Sequence, residues 1–499
     1  DENDLRGVAG TTALAALGGI LWGLCFGRQP LLVAPWVALT PLLLLLGQPR
    51  AGALALLHGL AYWLTSLYWI APTLETYGQL SSWLAVVLMV LLAALLGLYH
   101  GLFGWLGSRL WRRGGWTSAL GLPALWVALE WLRTHLFTGI PWNVAAYAWV
   151  AVPGALPLAS WGGAYGVSFL VLLANVGWAR SVTRRSPRPG IFASLVCLLL
   201  LGLVGRWSLD GEEPHGESGL PVKILQPNIA NLVEWDPVQV GLNYAKLMRL
   251  SRAACETESG TLLVWPESAA WPYVFERHAF LRQDLQSLAE SGCPVLLNTV
   301  SETAGSFFNS ALMVTAEGVA GRYDKRHLVP FGEYVPLARW LPFVGKLARN
   351  AGDFSPGVGS SLLPWRGERI GAAICFEVIF SSEVAASVRE GATVLATITN
   401  DAWYGDTSAP WQHFRAARFR AAENRRPLIR AALTGVSGLI AADGSVRARL
   451  GVGEEGVIAR NVSGRKDLSP FTRFPWAVPA ACSLLAAFAI FRAAGDRRR

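Results

Sequence analysis

Three side chains with complementary chemistry stand far apart in this chain: the carboxylate of Glu267, the amine of Lys325 and the thiol of Cys375. A thiolate is the best nucleophile that a side chain offers near neutral pH, so Cys375 is the candidate nucleophile. A nearby carboxylate can take the thiol proton and later return it to a leaving group, which fits Glu267. The ammonium of Lys325 and the backbone N–H of Phe376 are suited to stabilise an oxyanion. Together these groups predict acyl transfer through a covalent intermediate.

Two of these residues follow apolar runs that have the length of a β-strand. Residues 261–265 precede Glu267, and residues 370–374 precede Cys375. Both side chains therefore leave the carboxyl ends of strands, where α/β proteins build their sites. A cysteine in an apolar run is by default a buried structural thiol, whereas the adjoining Glu377 is poorly explained as part of a core.

Other candidate sites are weaker. His327 and His413 are alternative catalysts, because a Cys–His pair is a familiar combination. Nothing in the sequence puts either beside Cys375, so both are interpreted as structural. Cys255 and Cys293 are candidates for a disulfide in an oxidising compartment, although two cysteines alone do not make a disulfide framework. The sequence contains no CxxC, no zinc-ligand spacing and no glycine-rich phosphate loop, so we expect neither a metal nor a cofactor.

A layered α/β domain is predicted in the second half of the chain. From residue 221 onward, β-rich runs alternate with helical stretches, which is typical of such domains. The dipeptide at residues 443–444, Asp-Gly, favours a hairpin turn. The predicted strands are residues 222–225, 262–265, 295–299, 310–315, 370–374, 394–399, 438–441 and 446–450, and the predicted helices are residues 238–256, 280–290 and 382–390.

The composition separates membrane from soluble parts. Of 499 residues, 53% are hydrophobic and 15% charged, against about 25% charged in an average soluble protein. A membrane-spanning helix needs about 20 apolar residues. We predict a bundle of about seven such helices over residues 1–207, a catalytic domain over 208–472, and a final helix with a basic tail over 473–499. The candidate spans lie near residues 8–26, 30–47, 52–72, 82–107, 117–137, 155–179, 190–207 and 474–491.

The orientation of the bundle follows from its arginines. Clusters at residues 109–113 and 180–188, with the C-terminal tail, lie on one side of the candidate spans, whereas the opposite short loops hold Arg28 and Arg133. Because basic loops stay in the cytoplasm, the catalytic domain is expected outside it. The same arginines account for the net charge of +9, and no nucleic-acid-binding motif accompanies it. The first span lacks a clearly basic leader, so we expect a retained helix rather than a cleaved signal.

The motifs taken together resemble a known family. Glu267 in WPE, Lys325 in YDKRHLVPFGEYVP and Cys375 in ICFE are similar to the Glu–Lys–Cys triad of the nitrilase superfamily. The membrane flanks and the HLVPFGEYVP segment narrow the resemblance to its apolipoprotein N-acyltransferase branch. Further similar stretches span nearly the whole chain: EWLR at 130–133, TGIPW at 138–142, LQPNI at 225–229, WDP at 235–237, FNSA at 308–311 and TNDAWYG at 399–405.

This resemblance implies a fold and an activity. The fold is a multi-pass α-helical membrane bundle with an α/β nitrilase-like domain, an αββα sandwich, outside the cytoplasm. The activity is a ping-pong reaction without cofactor: Cys375 takes an acyl chain from a phospholipid, and the thioester then acylates the α-amino group of S-diacylglyceryl-cysteine on an apolipoprotein. The resemblance implies a bacterial inner membrane location with the catalytic domain on the periplasmic side. The expected partners are phospholipid, apolipoprotein and the bilayer, not nucleic acid, and we expect a monomer.

The family also suggests supporting residues. Glu333, Trp235 and Glu377 match its functional positions, and Glu333 is expected to position Lys325 or the base. Phe376 departs from the family, which often has tyrosine there, but its backbone N–H is unaffected and so keeps its proposed oxyanion role.

A lid is expected next to the lysine motif. Residues 330–344 are too apolar for a loop in water, and we interpret them as a segment that reaches the bilayer surface. Phe331, Tyr334, Trp340 and Phe343 are its candidate substrate contacts, and Trp235 is a further one on a separate loop.

Two other functions remain open at the level of sequence. A membrane-anchored amidase or nitrilase acting on a small soluble amide or nitrile would use the same triad, but it would need one helix rather than seven. A transporter or receptor would need paired charges within the spans, and Glu130 with Arg133 is the main such pair.

Overall fold

The structure is a computed structural model that describes residues 2–208, 219–231, 236–256, 260–335, 353–359 and 361–495, with only the backbone described for residues 2–6 and 206–208. Trp235, Trp340 and Phe343 lie outside the described residues. The chain divides into two compact units. The first comprises Asp1–Asp210, Thr407–Arg415 and Phe474–Arg499, and the second comprises Gly211–Asp406 and Ala416–Arg473.

The first unit is helical, as its long apolar stretches predict. The helices of the whole described chain are α1 (Glu2–Leu24), α2 (Thr40–Leu45), α3 (Ala51–Ser66), α4 (Ile70–Thr76), α5 (Ser82–Arg113), α6 (Gly115–Ala119), α7 (Gly121–His135), α8 (Ala155–Arg184), α9 (Arg188–Ser208), α10 (Pro237–Glu256), α11 (Ala279–Glu290), α12 (Ser381–Arg389), α13 (Ala409–Asn424), α14 (Pro470–Arg473) and α15 (Ala477–Gly495).

Several of these helices are able to cross a membrane. Among the described residues, five are long and apolar enough, namely α1, α5, α8, α9 and α15, and the bent pair of α3 and α4 makes up to six. The stretches near residues 30–47 and 117–137 form shorter helices, so the expected count of about seven spans before the catalytic domain stays a prediction. The chain is a membrane protein with several apolar helices.

Close backbone approach holds α1, α3 and α5 together. A Cβ atom at Gly19 of α1 would collide with the carbonyl oxygen of His58 in α3, and one at Gly104 of α5 would collide with Ala55. Small residues allow such contact, which is a main source of attraction between helices in lipid. A larger residue at either glycine would push the helices apart.

A buried glutamine anchors Thr407–Arg415 within the first unit. The Oε1 atom of Gln412 accepts hydrogen bonds from the indole N–H groups of Trp69 at 3.3 Å and Trp142 at 2.7 Å. Its Nε2 donates to the carbonyl oxygens of Phe26 at 3.1 Å and Ser66 at 3.0 Å. Because these bonds replace water for buried polar groups, they fix the side chain of Gln412 among the residues of the first unit.

The second unit contains two six-stranded sheets. The first has the strand order β12-β1-β2-β3-β4-β5, and the second has the order β11-β10-β9-β8-β7-β6. The strands are β1 (Leu220–Gln226), β2 (Leu262–Val264), β3 (Val295–Thr303), β4 (Ser306–Thr315), β5 (Gly318–Asp324), β6 (Leu363–Trp365), β7 (Glu368–Ile374), β8 (Val394–Thr399), β9 (Leu428–Ala432), β10 (Ser437–Ile440), β11 (Val446–Leu450) and β12 (Gly456–Val462).

Successive side chains along the central strands point to opposite faces of the sheet, and this produces the layers of the unit. Ile224 and Val264 of the first sheet share a buried cluster with Ile374 and Ile398 of the second, so the two sheets pack face to face. Side chains from the opposite face of the first sheet instead pack with α10 and α11. Helices α10 and α11 therefore lie against the first sheet, and α12 packs against β7 of the second. The predicted nitrilase-like sandwich is confirmed.

The strands and helices predicted in this unit are all found, with ends shifted by at most four residues. The predicted hairpin joins β10 and β11, which pair antiparallel. Cys255 and Cys293, for which sequence left the pairing open, form a disulfide. Strands β7 and β8 end directly before Cys375 and Asn400, and β2 ends three residues before Glu267. These strand ends bring distant parts of the sequence to one edge of the core.

Candidate active site

Cys375 lies at a sharp change of backbone direction. It directly follows strand β7 and begins a short 3₁₀ turn, Cys375–Ile379. Its φ is +52°, a left-handed conformation that few residues other than glycine, asparagine and aspartate adopt, and one that is common at functional sites. The residue is 6% exposed and its sulfur belongs to no disulfide. The turn thus presents a buried thiol at the end of a strand.

Glu377 holds this turn in place. Its Oε2 atom accepts the backbone N–H of Ile374 at 2.7 Å. Its Oε1 atom accepts the hydroxyl of Tyr323 and the backbone N–H of Arg326, both at 2.8 Å. Burial raises the pKa of this carboxyl. Because Arg326 follows Lys325, one carboxylate ties the nucleophile turn to the lysine segment, and Glu377 is interpreted as a positioning residue.

Lys325 lies between two carboxylates. Its Nζ atom is 2.9 Å from Oε1 and from Oε2 of Glu333, and 3.9 Å from Oε1 of Glu267. The lysine side chain is 1% exposed. The backbone N–H of Val329 donates to Oε2 of Glu333 at 2.8 Å, which turns that carboxylate towards the ammonium. Glu333 is therefore the closest ionic partner of Lys325, in line with its expected positioning role.

The charges of this group are set by burial and by each other. Burial raises the pKa of Glu267, Lys325 opposes that change, and the negative charge of Glu333 adds to it. Burial opposes the charge of Lys325, but the carboxylates of Glu333 and Glu267 raise its pKa above the ordinary value. Lys325 consequently stays an ammonium, while Glu267 is a stronger base than an exposed glutamate.

The same surroundings keep Cys375 protonated at rest. Burial raises the pKa of its thiol, the Glu267 carboxylate raises it further, and the Lys325 ammonium opposes both. The thiol must therefore lose its proton during the reaction rather than before it, which requires an acceptor close to the sulfur.

The remaining residues that the sequence predicted for the site are Phe376, the lid residues and Trp235. Phe376 packs edge-on against Phe380, with ring centroids 5.2 Å apart. Phe331 is 57% exposed and its backbone N–H donates to the carbonyl of Tyr334 at 2.8 Å. Trp235, Trp340 and Phe343 lie outside the described residues, so their substrate roles stay predictions.

Both histidines have structural contacts. The Nδ1 atom of His327 lies 2.8 Å from Oε1 of Glu383, and its ring stacks on Phe380 at 3.6 Å. His413 belongs to the first unit and stacks on Trp142 at 5.6 Å. Neither contact involves the thiol, which agrees with the structural interpretation.

Comparison with known proteins identifies the family of this chain. Residues 18–177 match the apolipoprotein N-acyltransferase N-terminal domain, and residues 224–465 match the carbon-nitrogen hydrolase family. An apolipoprotein N-acyltransferase of Geobacter metallireducens is 39% identical, covering 96% of this chain and 95% of that protein. The chain belongs to the apolipoprotein N-acyltransferase family. It is accordingly an acyltransferase.

Other similar proteins include an apolipoprotein N-acyltransferase of Ralstonia nicotianae, 33% identical over 97% of this chain and 94% of that protein. One of Vibrio cholerae is 30% identical over 93% and 92% of the two chains. Among solved structures, an amidase from Nesterenkonia sp. is 20% identical and covers 52% of this chain and 97% of its own, with a TM-score of 0.39.

Two amides next to the base were missed by sequence reasoning. The backbone N–H of Asn400 donates to Oε2 of Glu267 at 2.9 Å, and the side chain of Asn309 donates to Oε1 at 3.1 Å. Both asparagines belong to stretches that resemble the family, FNSA and TNDAWYG. Their signal in the sequence is an amide within or just after an apolar strand, which is uncommon unless it has a partner.

The opposite effects of Glu267 and Lys325 on the pKa of the Cys375 thiol lead to a prediction. At pH 9, where hydroxide rather than Glu267 removes the proton, alkylation of Cys375 by iodoacetamide reports the thiolate fraction. Lys325→Met should slow this alkylation because it removes the favourable positive charge. Glu267→Gln should accelerate it because it removes an unfavourable negative charge. Each unit of pKa changes the thiolate fraction about tenfold.

The measurement is mass spectrometry of the peptide that contains Cys375, in the full-length protein. Leu288, which is buried on α11, offers the control variant Leu288→Val, which changes no charge and should leave the rate unchanged. Changes of the same sign in both triad variants would contradict this electrostatic description.

Proposed function

We propose that this chain transfers an acyl chain from a phospholipid, through a thioester on Cys375, to the α-amino group of the S-diacylglyceryl-cysteine of an apolipoprotein. The observation that carries the proposal is a buried thiol at the end of β7, in the same domain as a buried Lys325 whose Nζ atom lies 3.9 Å from Oε1 of Glu267, in a chain with long apolar helices. Membership of the apolipoprotein N-acyltransferase family supports the choice of acceptor.

The first half-reaction forms the thioester. Glu267 takes the proton of the Cys375 thiol as the sulfur attacks the carbonyl carbon of the phospholipid ester. The resulting oxyanion is stabilised by the ammonium of Lys325 and the backbone N–H of Phe376. When the ester C–O bond breaks, Glu267 returns its proton to the leaving alkoxide. The products are a lysophospholipid and an acyl-enzyme.

The second half-reaction uses the same groups in the reverse order. The neutral α-amine attacks the thioester carbonyl, and Glu267 accepts a proton from the amine. When the C–S bond breaks, the proton passes to the sulfur, so that the amide is released and the Cys375 thiol is restored. Because the resting thiol is protonated, the enzyme ends the cycle in the state in which it began.

Lys325 contributes mainly through its fixed charge. Its ion pair with Glu333 holds the ammonium in place before substrate arrives, so little reorganisation accompanies formation of the oxyanion. Loss of one such donor typically lowers the rate by about 100-fold to 1,000-fold. Glu267 is the base in both halves, and a raised pKa suits a group that must both accept and return a proton near neutral pH.

The membrane side of the reaction is part of the proposal. The arginine clusters of the predicted cytoplasmic loops support a catalytic domain on the periplasmic side of a bacterial inner membrane. With about seven spans before residue 208 and one after residue 473, both ends of the chain are cytoplasmic. We further propose that the enzyme acts as a monomer.

The acyl-enzyme yields the central prediction. Incubation of the full-length protein with phospholipid should add one acyl mass to Cys375, and Cys375→Ser should abolish the addition. Glu267→Gln and Lys325→Met should each reduce it by orders of magnitude, because the first removes the base and the second removes the charge that stabilises the oxyanion. Intact-mass and peptide mass spectrometry measure both. A label on Cys255 or Cys293, or a thioester that still forms in Cys375→Ser, would show that the assignment of the nucleophile is wrong. Turnover of a small amide without acylation by phospholipid would instead favour the membrane-anchored amidase.

Topology provides a second prediction. A reporter fused after Arg185 should be cytoplasmic, and one inserted at Gly305, in the turn between β3 and β4, should be external. Paired alkaline phosphatase and fluorescent protein fusions distinguish the two sides. The reverse pattern would put the thiol in the cytoplasm and would rule out the proposed lipoprotein acceptor.

The lid yields a third prediction, motivated by the exposed Phe331 at its start. Trp340→Ser with Phe343→Ser should slow turnover of bilayer phospholipid but leave acyl transfer from a short-chain, water-soluble thioester nearly unchanged. The soluble donor serves as an internal control. Equal loss with both donors would make the segment a scaffold for the triad, and no loss with either would remove it from lipid capture.

A further inference from the structure

Two asparagines on neighbouring strands form a hydrogen-bonded chain that ends at the base. Asn309 of β4 pairs with Val300 of β3. Asn298 is two residues before Val300, so it lies diagonally from Asn309 on the same face of the sheet. The Nδ2 atom of Asn298 donates to Oδ1 of Asn309 at 2.6 Å. The Nδ2 atom of Asn309 donates to Oε1 of Glu267 at 3.1 Å and to Oε1 of Glu333 at 2.7 Å.

The groups at both ends of this hydrogen-bonded chain determine which side-chain atoms of the two asparagines donate and which accept. At one end, the backbone N–H of Ser268, which can only donate, gives its hydrogen to Oδ1 of Asn298 at 3.0 Å. At the other end stand two carboxylates, which can only accept when ionised. The Nδ2 atom of Asn298 also donates to the carbonyl of Ser310 at 3.0 Å, so both of its hydrogens are used. A flip of either amide would set oxygen against oxygen.

The amide of Asn309, which bridges Glu267 and Glu333, also offsets the repulsion between these two carboxylates. Glu267 and Glu333 are like charges that share a single ammonium, and the negative charge of Glu333 disfavours the ionised form of Glu267. The Nδ2 group of Asn309 donates one hydrogen to each carboxylate, and a donor stabilises the ionised form. The charged and titratable groups that act on Glu267 are otherwise Lys325, Glu333, Cys375 and Tyr404.

We propose that Asn309 is a positioning residue for the base: its amide spaces the Glu267 and Glu333 carboxylates and favours the ionised form of Glu267, and Asn298 fixes the direction of that amide. The inference rests on the proposed acyl transfer, in which ionised Glu267 takes the proton of the Cys375 thiol.

The sign of the expected effect follows from this arrangement. Only ionised Glu267 can start the first half-reaction, so the rate of acyl-enzyme formation falls as the pH drops through the pKa of Glu267. Removing a hydrogen bond to the ionised carboxylate raises that pKa. The acidic limb of the profile should therefore move to higher pH.

The test measures acyl-enzyme formation against pH from 4.5 to 9 in the full-length protein, with phospholipid in detergent micelles and mass spectrometric detection on Cys375. Asn309→Leu, which removes the donor without adding charge, should move the acidic limb upward by about one pH unit, since a hydrogen bond to a charged group is worth about one to two units. KM for the phospholipid should change little. Asn298→Leu should cause a smaller shift in the same direction, because Asn309 is then free to flip.

The double variant shows whether Asn298 acts on Glu267 through Asn309 or independently of it. Asn298→Leu added to Asn309→Leu should cause no further shift, because Asn309 is the residue of the pair that donates to the Glu267 carboxylate, whereas Asn298 accepts from the backbone N–H of the neighbouring Ser268. Asn243→Leu on α10 is the matched control and should leave the profile unchanged. If Asn309→Leu fails to fold, Asn298→Leu alone still has to move the limb.

Three outcomes would overturn parts of this description. A uniform loss of rate at every pH, with an unmoved limb, would make the asparagines merely structural. A shift by Asn298→Leu that persists in the Asn309→Leu background would show that Asn298 acts on the base through Ser268, and would refute its proposed action through the amide of Asn309. Absence of any acyl-enzyme in the unmodified protein would instead overturn the proposed function, and this inference with it.

Discussion

Lys325 is a buried ammonium, and its charge is maintained by the carboxylates of Glu333 and Glu267. An ammonium so far from water loses its proton unless opposite charge lies beside it. One of these carboxylates also acts on the nucleophile. Burial and the charge of Glu267 raise the pKa of the Cys375 thiol, and the Lys325 ammonium opposes both. A carboxylate that keeps the cation charged thus also helps to keep the nucleophile protonated, so a base must act during the attack.

The group is assembled from strand ends of both sheets. Glu267 follows β2 and Lys325 follows β5 in the first sheet, whereas Cys375 follows β7 and Asn400 follows β8 in the second. The relative position of these four residues depends on the apolar layer between the sheets, where Ile224, Val264, Ile374 and Ile398 are nearly inaccessible to solvent. Glu377 and Asn400 add direct hydrogen bonds across it. Rigidity of the site is therefore a property of the whole sandwich rather than of one loop.

The fold of the second unit could be predicted from the sequence where periodicity was strong. The apolar runs at residues 370–374 of β7 and 394–399 of β8 were recognised as strands, and α10 and α11 have clear helical spacing. Strands β5, β6, β9 and β12 could not be found in this way, because β5 contains Gly318 and Gly321, β6 has three residues around Pro364, β9 is interrupted by Arg430, and β12 carries Arg460 on an exposed edge. Such strands are defined by their partners rather than by local preference.

In the candidate site, too, some residues could be predicted from the sequence and others could not. Glu267, Lys325 and Cys375 were found because their chemistry is conspicuous and their motifs resemble a family. The tie between Glu377 and Tyr323 and the bridge through Asn309 depend on contacts between residues that are distant in sequence, and neutral amides have no distinctive chemistry of their own. The family resemblance marked Glu333 as important, but only the geometry assigns it to Lys325 as its nearest ionic partner.

Gln412 is hydrogen-bonded to Trp69, Trp142, Phe26 and Ser66, and these contacts limit which fragments of this enzyme could fold by themselves. A fragment made of residues 208–472 would contain Gln412 but none of these four partners. Its amide, the ring of His413 and the guanidinium of Arg415, which donates to the carbonyl of Cys25, would all face water in a helix shaped to be enclosed. Removing the hydrophobic ends of the chain therefore does not release a water-soluble catalyst. A soluble version would require a redesigned surface over the nine residues Thr407–Arg415.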